Sequence, residues 1–222
     1  MNNKTRNFLT VVPAAAVLLI ASQVSLSAKT WCTNADLLGS YGLLGGGAVL
    51  QPANSPLAGP FARVATVVFD GAGNAVVPSG YDSINGNVLS GPSSGTYTVS
   101  SNCTANVSLK LGPPVNLVIT LTGTLQNDGK DFSFLITNPP GTSVSGIARP
   151  QNINWCTTAS FRGDFGFDMN GGFVVGPLDG PFKRIGKFTA DGNGAFSAVT
   201  TANYGGRIAT EDFAGAYTVD AA

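Results

Sequence analysis

The chain predicts an all-β protein made of tandem small antiparallel barrels of about eight strands, the second one incomplete. Three observations predict it. Strand signals punctuated by Gly, Asn-Gly and Asp-Gly run through the chain after residue 28, with no sustained helical periodicity. A set of short motifs recurs in the same order at an offset of 120 to 124 residues. Charged residues make up only 11% of the chain, so Ser, Thr, Asn and Gly must carry the solvated strand faces.

Residues 1–28 read as a signal peptide. Lys4 and Arg6 give a positive start, an apolar stretch runs from Phe8 to Ala21, and Ser25-Leu26-Ser27-Ala28 offers small residues for cleavage. The stretch is shorter than the ~20 residues of a membrane span and contains Pro13. The expectation is an exported protein (periplasmic, cell-surface or extracellular), with no membrane segment after signal cleavage. Loss of Lys4 and Arg6 leaves ten basic against twelve acidic side chains. No basic run is present, which argues against nucleic acid as a partner. Histidine is absent, so His-based triads and His-ligated metals are excluded.

The repeat sets the domain boundaries. Trp31-Cys32-Thr33 returns as Trp155-Cys156-Thr157, and Gly39-Ser40-Tyr41-Gly42 as Gly163-Asp164-Phe165-Gly166. Gly59-Pro60-Phe61-Ala62-Arg63-Val64 returns as Gly180-Pro181-Phe182-Lys183-Arg184-Ile185. Asp70-Gly71-Ala72-Gly73 returns as Asp191-Gly192-Asn193-Gly194, and Gly95-Thr96-Tyr97-Thr98-Val99 as Gly215-Ala216-Tyr217-Thr218-Val219. A complete unit is expected over 29–151 and a truncated one over 155–222. The drift in offset assigns four lost residues to the loops. The counterpart of Cys103 falls one position beyond Ala222, so the chain reads as a fragment of a longer product or a truncated copy.

Strands of the complete unit are expected near 37–50, 61–69, 74–81, 86–91 with 94–100, 103–111, 115–124, 131–138 and 143–149. Asp70-Gly71, Asn85-Gly86 and Asp128-Gly129 suit primed hairpin turns. Successive hairpins favour a meander closed into a barrel, with an open sandwich as the alternative. Alternation puts Leu37, Gly39, Tyr41 and Leu43 on the inner face of the first strand, and Ala65, Val67 and Phe69 on that of the second. In the second unit Phe188 and Ala190 exchange the large and small positions of Val67 and Phe69, as volume compensation in one layer requires. The same map places Cys32 before the first strand and Cys103 at the head of the fifth. A Cys32–Cys103 disulfide follows, leaving Cys156 as an unpaired thiol; the competing bridge is Cys32–Cys156.

The motif order G-x-Y/F-G, G-P-F-x-R-V/I, D-G-x-G, G-x-Y-T-V, N-C-T and V-S-G-I-A-R resembles that of an uncharacterised family of exported bacterial β-barrel repeats, over nearly all of the mature chain. The resemblance implies a fold similar to calycin (lipocalin-like) or allene-oxide-cyclase-like barrels. Tyr41 stands where the lipocalin G-x-W signature has Trp. The family brings no activity with it.

Candidate sites are few. Arg63 and Arg184 both follow Gly-Pro-Phe-x and share parity with the inner row. At a barrel mouth they could hold a ligand carboxylate, with Tyr41 and Tyr97 lining the interior; structurally they could pair with a carboxylate or stack on a ring. The Asp70–Asn74 and Asp191–Ala195 segments faintly resemble calcium loops but lack the alternating oxygen ligands and distal Glu, and read as turns. Asp164 and Asp168 share a strand face, but Ser40 and Leu44 occupy those places in the first unit, so a solvated face is the simpler reading. Asn102 and Asn106 fit glycosylation sequons that matter only in a eukaryotic secretory pathway. No catalytic residue, metal site or cofactor is expected. Three functions are set against one another: an exported non-catalytic module for surface or extracellular interaction, a lipocalin-like carrier of a small apolar ligand, and, least favoured, a barrel enzyme. A packed interior favours the first; an apolar cavity of about 300 Å³ or more with Arg63 at its mouth favours the second.

Overall fold

The computed structural model describes residues 31–50, 55, 57–112, 116–152, 156–174 and 176–220. The expected signal peptide and Trp155 lie outside the described residues. Strands run β1 (Leu38–Val49), β2 (Gly59–Asp70), β3 (Asn74–Ile84), β4 (Asn87–Ser90), β5 (Ser93–Val99), β6 (Thr104–Leu111), β7 (Val118–Gln126), β8 (Asp131–Asn138) and β9 (Thr142–Pro150). A second set follows: β10 (Arg162–Phe173), β11 (Gly180–Asp191), β12 (Ala195–Tyr204) and β13 (Arg207–Ala216). The protein is all-β.

The first set closes into an eight-strand antiparallel barrel. Apart from β4 and β5, each strand pairs with its neighbour in sequence, and β1 closes the circle by pairing with β9. β4 and β5 share one position: β4 pairs with the far half of β3 and β5 with its near half. Closure removes both sheet edges, which answers the barrel-or-sandwich alternative in favour of the barrel. The inner rows fill the core as alternation predicts. Leu37, Tyr41, Leu43, Val67 and Phe69 are buried against Val107, Leu109, Leu121, Phe132 and Phe134 from the other half of the barrel.

Turn chemistry departs from expectation at two of three places. Asn85 and Gly86 both have positive φ, 48° and 79°, and form the two-residue primed hairpin. Residues 71–73 instead make a three-residue loop organised by Asp70, whose Oδ1 accepts the backbone N–H groups of Ala72, Gly73 and Asn74 at 2.8–2.9 Å. Residues 127–130 form a four-residue loop carrying three successive positive φ values.

One end of the barrel is plugged by the lead into β1. Cys32 is disulfide-bonded to Cys103, 71 residues on, and a 3-10 turn over Asn34–Asp36 follows it. The Tyr97 hydroxyl lies 2.8 Å from the carbonyl of Leu37 and 3.0 Å from that of Asn34, while Asn34 Oδ1 accepts the Val99 N–H at 2.7 Å. Phe69 packs edge-on between Tyr41 and Tyr97, at 5.3 and 5.0 Å. Such aromatic contacts contribute about 0.5–1.5 kcal/mol each beyond area burial.

The second set forms a four-stranded sheet in the order β10-β11-β12-β13. All twelve β10–β11 pairs, from Arg162↔Asp191 to Phe173↔Gly180, have the register of β1–β2 shifted by 124 and 121 residues. Its lead repeats the local chemistry of the first: a 3-10 turn over Thr158–Ser160, and Tyr217 donating to the Phe161 carbonyl at 2.6 Å. The two sheets differ in β3. Its pairing with β2 slips between Thr66↔Ser79 and Val68↔Val76, so Val77 and Pro78 together face Val67; the β11–β12 ladder has no such slip. Pro has no N–H for a ladder and is tolerated at such a bulge. Three of the four residues by which the motif offset drifts therefore lie in the loop after the first strand (50–58 against 174–179), but the fourth is the bulge, inside a strand rather than in a loop.

Candidate functional site

Arg63 sits on the inner face of β2 because it keeps step with Ala65, Val67 and Phe69. It is 5% exposed. A guanidinium this deep needs a carboxylate, and Asp82 supplies it: Nη1 lies 3.2 Å from both carboxylate oxygens. Simple alternation from Ala75 and Val77 would turn Tyr81 inward and Asp82 outward. The bulge at Pro78 reverses the parity, so Gly80 and Asp82 face the interior while Tyr81 is 55% exposed. Burial pushes the Asp82 carboxyl above its usual range, with the Arg63 charge pulling the other way.

Arg63 does not stand at an open mouth. Its surroundings are Leu43, Phe61, Leu109, Leu121, Phe134 and Ile136, and the free space among them is about 10 Å³, room for one water at most. Tyr41 and Tyr97 are 3% and 2% exposed and are committed to the plug, where burial pushes both phenols up. The structure thus gathers Arg63, Tyr41 and Tyr97 into one barrel interior, but as packed and bonded parts of it.

Arg184 occupies the matching place on β11, and its partners are different. The residue opposite it on β12 is Ala202, where Arg63 faces Asp82. The acid comes from β13 instead: Glu211 Oε2 accepts from Arg184 Nη2. Tyr204 completes a triangle, its hydroxyl 2.6 Å from Glu211 Oε1 and 2.8 Å from Arg184 Nη2. The Tyr204 hydrogen bond, reinforced by Arg184, holds the Glu211 carboxyl below its usual value. The guanidinium also lies over the Phe182 and Phe213 rings, at 5.3 and 5.2 Å. Around it the inner face is aromatic: Phe161, Phe165 and Phe188 stack at 4.8–5.6 Å, and Phe173, Phe182 and Tyr204 cluster at 5.3–6.0 Å. None of these rings is buried, and Phe173 and Phe213 are 40% and 36% exposed.

The remaining candidates resolve into structure. Asp164 and Asp168 belong to exposed cross-strand pairs with Lys187 and Lys183, at 3.2 and 3.3 Å. Thr189 also donates to Asp164 at 2.5 Å. Asp70 and Asp191 spend their carboxylates on their own loops, and hydrogen bonds led by the Asn74 side chain lower the Asp70 pKa to about 2. Cys156 is a free, half-buried thiol, 3.7 Å from the Asn152 carbonyl. Among the described residues no group of three or more His, Cys, Asp or Glu could hold a metal ion. No helix among them is long and apolar enough to cross a membrane. Sequence reading missed Asp82, Tyr204 and Glu211. Pro78 within a strand pattern was the available signal for Asp82; Glu211 had none, because its place in the first unit is Gly91. Comparison with protein-family models, with curated proteins and with solved structures found no match.

Proposed function

We propose that the chain is an exported, non-catalytic β-barrel protein that acts through its surfaces, in the cell envelope or outside the cell. The observation carrying this reading is the packed barrel interior. Its buried cation is neutralised by Asp82, its tyrosines are bonded into the plug, and about 10 Å³ remains free beside Arg63, against the 300 Å³ or more of a ligand pocket. The carrier reading needs that space. The kinship with calycin or allene-oxide-cyclase-like barrels is accordingly one of architecture in this proposal, without ligand carriage. The second sheet is read as an incomplete copy of the barrel unit, on the strength of its common register with β1–β2, its Tyr217-bound lead and its retained inward arginine. That copy exposes the kind of aromatic face that the barrel buries, which makes it the foremost interaction surface of the chain.

Native mass spectrometry of the chain purified from its own host tests the reading. The expected spectrum shows protein mass with no small molecule. A stoichiometric apolar adduct that disappears in Arg63→Met would overturn it in favour of a carrier. Export is checked by the N-terminus of the mature protein, expected after Ala28.

A further inference from the structure

We propose that the free edge of β4 is a dimer contact, occupied by β4 of a second copy of this chain in antiparallel pairing. The inference rests on the surface-acting reading above and names one partner for it. Closure gives every other barrel strand at least two partners, whereas β4 pairs with β3 alone among the described residues. Its backbone polarity follows from the hairpin. Ile84 and Asn87 flank the two-residue turn and exchange hydrogen bonds, so Asp82 and Leu89 are the next pair to do so. The Gly91 N–H donates to the Gly80 carbonyl at 3.2 Å, which continues that alternation. Val88 and Ser90 therefore turn their N–H and C=O groups away from β3, toward the free edge.

Shortness is the one device on this edge that limits such pairing. Asn87, Val88, Leu89 and Ser90 include no charge and no proline. Shortness also selects the occupant. Two edge residues offer four backbone hydrogen bonds, whose net gain is comparable to the entropy lost in fixing a disordered peptide of that length. A strand already held in a hairpin has no such cost. β4 of a second copy is such a strand, and its unpaired groups have the required spacing. A two-fold axis normal to the sheet sets Val88 opposite Ser90 of the other copy and Leu89 opposite Leu89, so that all these bonds form. The side chains agree with that register. The outward row becomes Val64, Tyr81 and Ser90 of one copy followed by Val88 of the other. Val64, Tyr81 and Val88 are 51%, 55% and 71% exposed, and the small Ser90 lets the tyrosine ring lean onto the facing valine. On the inward side, half-buried Leu89 meets its own counterpart. The one charge of the hairpin, Asp82, is neutralised within its copy by Arg63, so no like charges are brought together.

The contact is smaller than a standard interface, so a weak dimer is expected, with a dissociation constant on the order of 100 µM. Sedimentation equilibrium of the full exported chain, up to about 1 mM, tests this. A Cys156→Ser background excludes a disulfide between copies and keeps Cys32–Cys103 intact. Val88→Lys and Ser90→Glu, both at exposed positions, should each weaken the dimer at least about 10-fold, because the register sets like charges diagonally across the axis. An equimolar mixture of the two variants should dimerise as the parent does, since lysine then faces glutamate; this rescue also shows that both are folded. Amide exchange at Val88 and Ser90 should slow as the parent's concentration rises. A parent monomeric at about 1 mM, including one whose edge amides are protected only by a different protein, would overturn the proposal. So would a dimer whose Val88 and Ser90 amides exchange at an unchanged rate, or one that neither variant weakens. A monomeric parent leaves the surface-acting reading standing, because ligand content decides that reading.

Discussion

Arg63 and Asp82 show how one buried charge constrains its surroundings. Asp82→Ala leaves a guanidinium buried without its counter-charge, and the expected cost is about 3–5 kcal/mol in denaturant unfolding. The double change Arg63→Met with Asp82→Leu should recover most of that loss, because apolar groups of similar size suit the Leu43, Phe61 and Leu121 surroundings. Asp70 makes a different prediction. Its folded pKa, about 2, lies below the unfolded value near 3.8. The hydrogen-bonded carboxylate therefore supports the loop above pH ~4, and that support disappears as pH falls toward 2. A carboxyl-carbon NMR titration should place its midpoint near 2, and Asp70→Asn should flatten the acid limb of the stability curve. At this scale the sequence was legible where a residue answers to its own strand. The parity of Arg63, Tyr41 and Val67 could be counted. Asp82 could not be placed by counting alone, since its direction depends on a bulge four residues upstream. The Arg184–Glu211–Tyr204 triangle was out of reach because its acid comes from β13, two strands away across β12, at a position matched by Gly91 at the motif offset of 120.

Strands and their connections follow from local chemistry with one systematic exception. Eight strand positions were readable from alternation and turn residues, including the shared position of β4 and β5. The exception is Pro78, whose single extra residue shifts β3 against β2 and divides its other partner into β4 and β5; β13, facing an unbulged β12, stays continuous. Deleting Pro78 is expected to join β4 and β5 into one ladder while Gly80 and Asp82 stay inward and Tyr81 outward, because Ala75, Val77, Gly80 and Asp82 then alternate regularly. Hydrogen exchange would then show new protection at residues 91–92, with the Arg63–Asp82 pair retained. The disulfide acts on a longer span. It closes a 71-residue separation between the plug and β6, so Cys103→Ser should cost about 4 kcal/mol by chain entropy. Thermal unfolding with and without reductant reads that loss in the parent chain. Loop geometry was the least legible level: Asp70-Gly71 and Asp128-Gly129 resemble two-residue hairpin turns in sequence, yet their connections have three and four residues. Dipeptide preference does not determine how far the flanking ladders extend.

Across the molecule, a closed antiparallel barrel is followed by a separate four-stranded antiparallel sheet. β1–β9 close on themselves, bury Tyr41, Phe69 and Tyr97, and leave no usable interior space. β10–β13 keep corresponding inward positions, larger side chains and two open edges. The barrel was foreseeable because eight amphipathic strands joined by hairpins need closure to hide both edges. Whether its interior was packed or hollow was not, since Gly45, Gly146 and Phe134 sum to a filled layer only when brought side by side. The account rests on that filled interior. Titration of the full chain with a fluorescent fatty acid, a probe combining an apolar tail with a carboxylate for Arg63, tests it most directly. The account predicts no saturable binding to the barrel, in the parent and in Arg63→Met alike. Saturable one-to-one binding by the parent that vanishes in Arg63→Met, with the variant still folded, would contradict it.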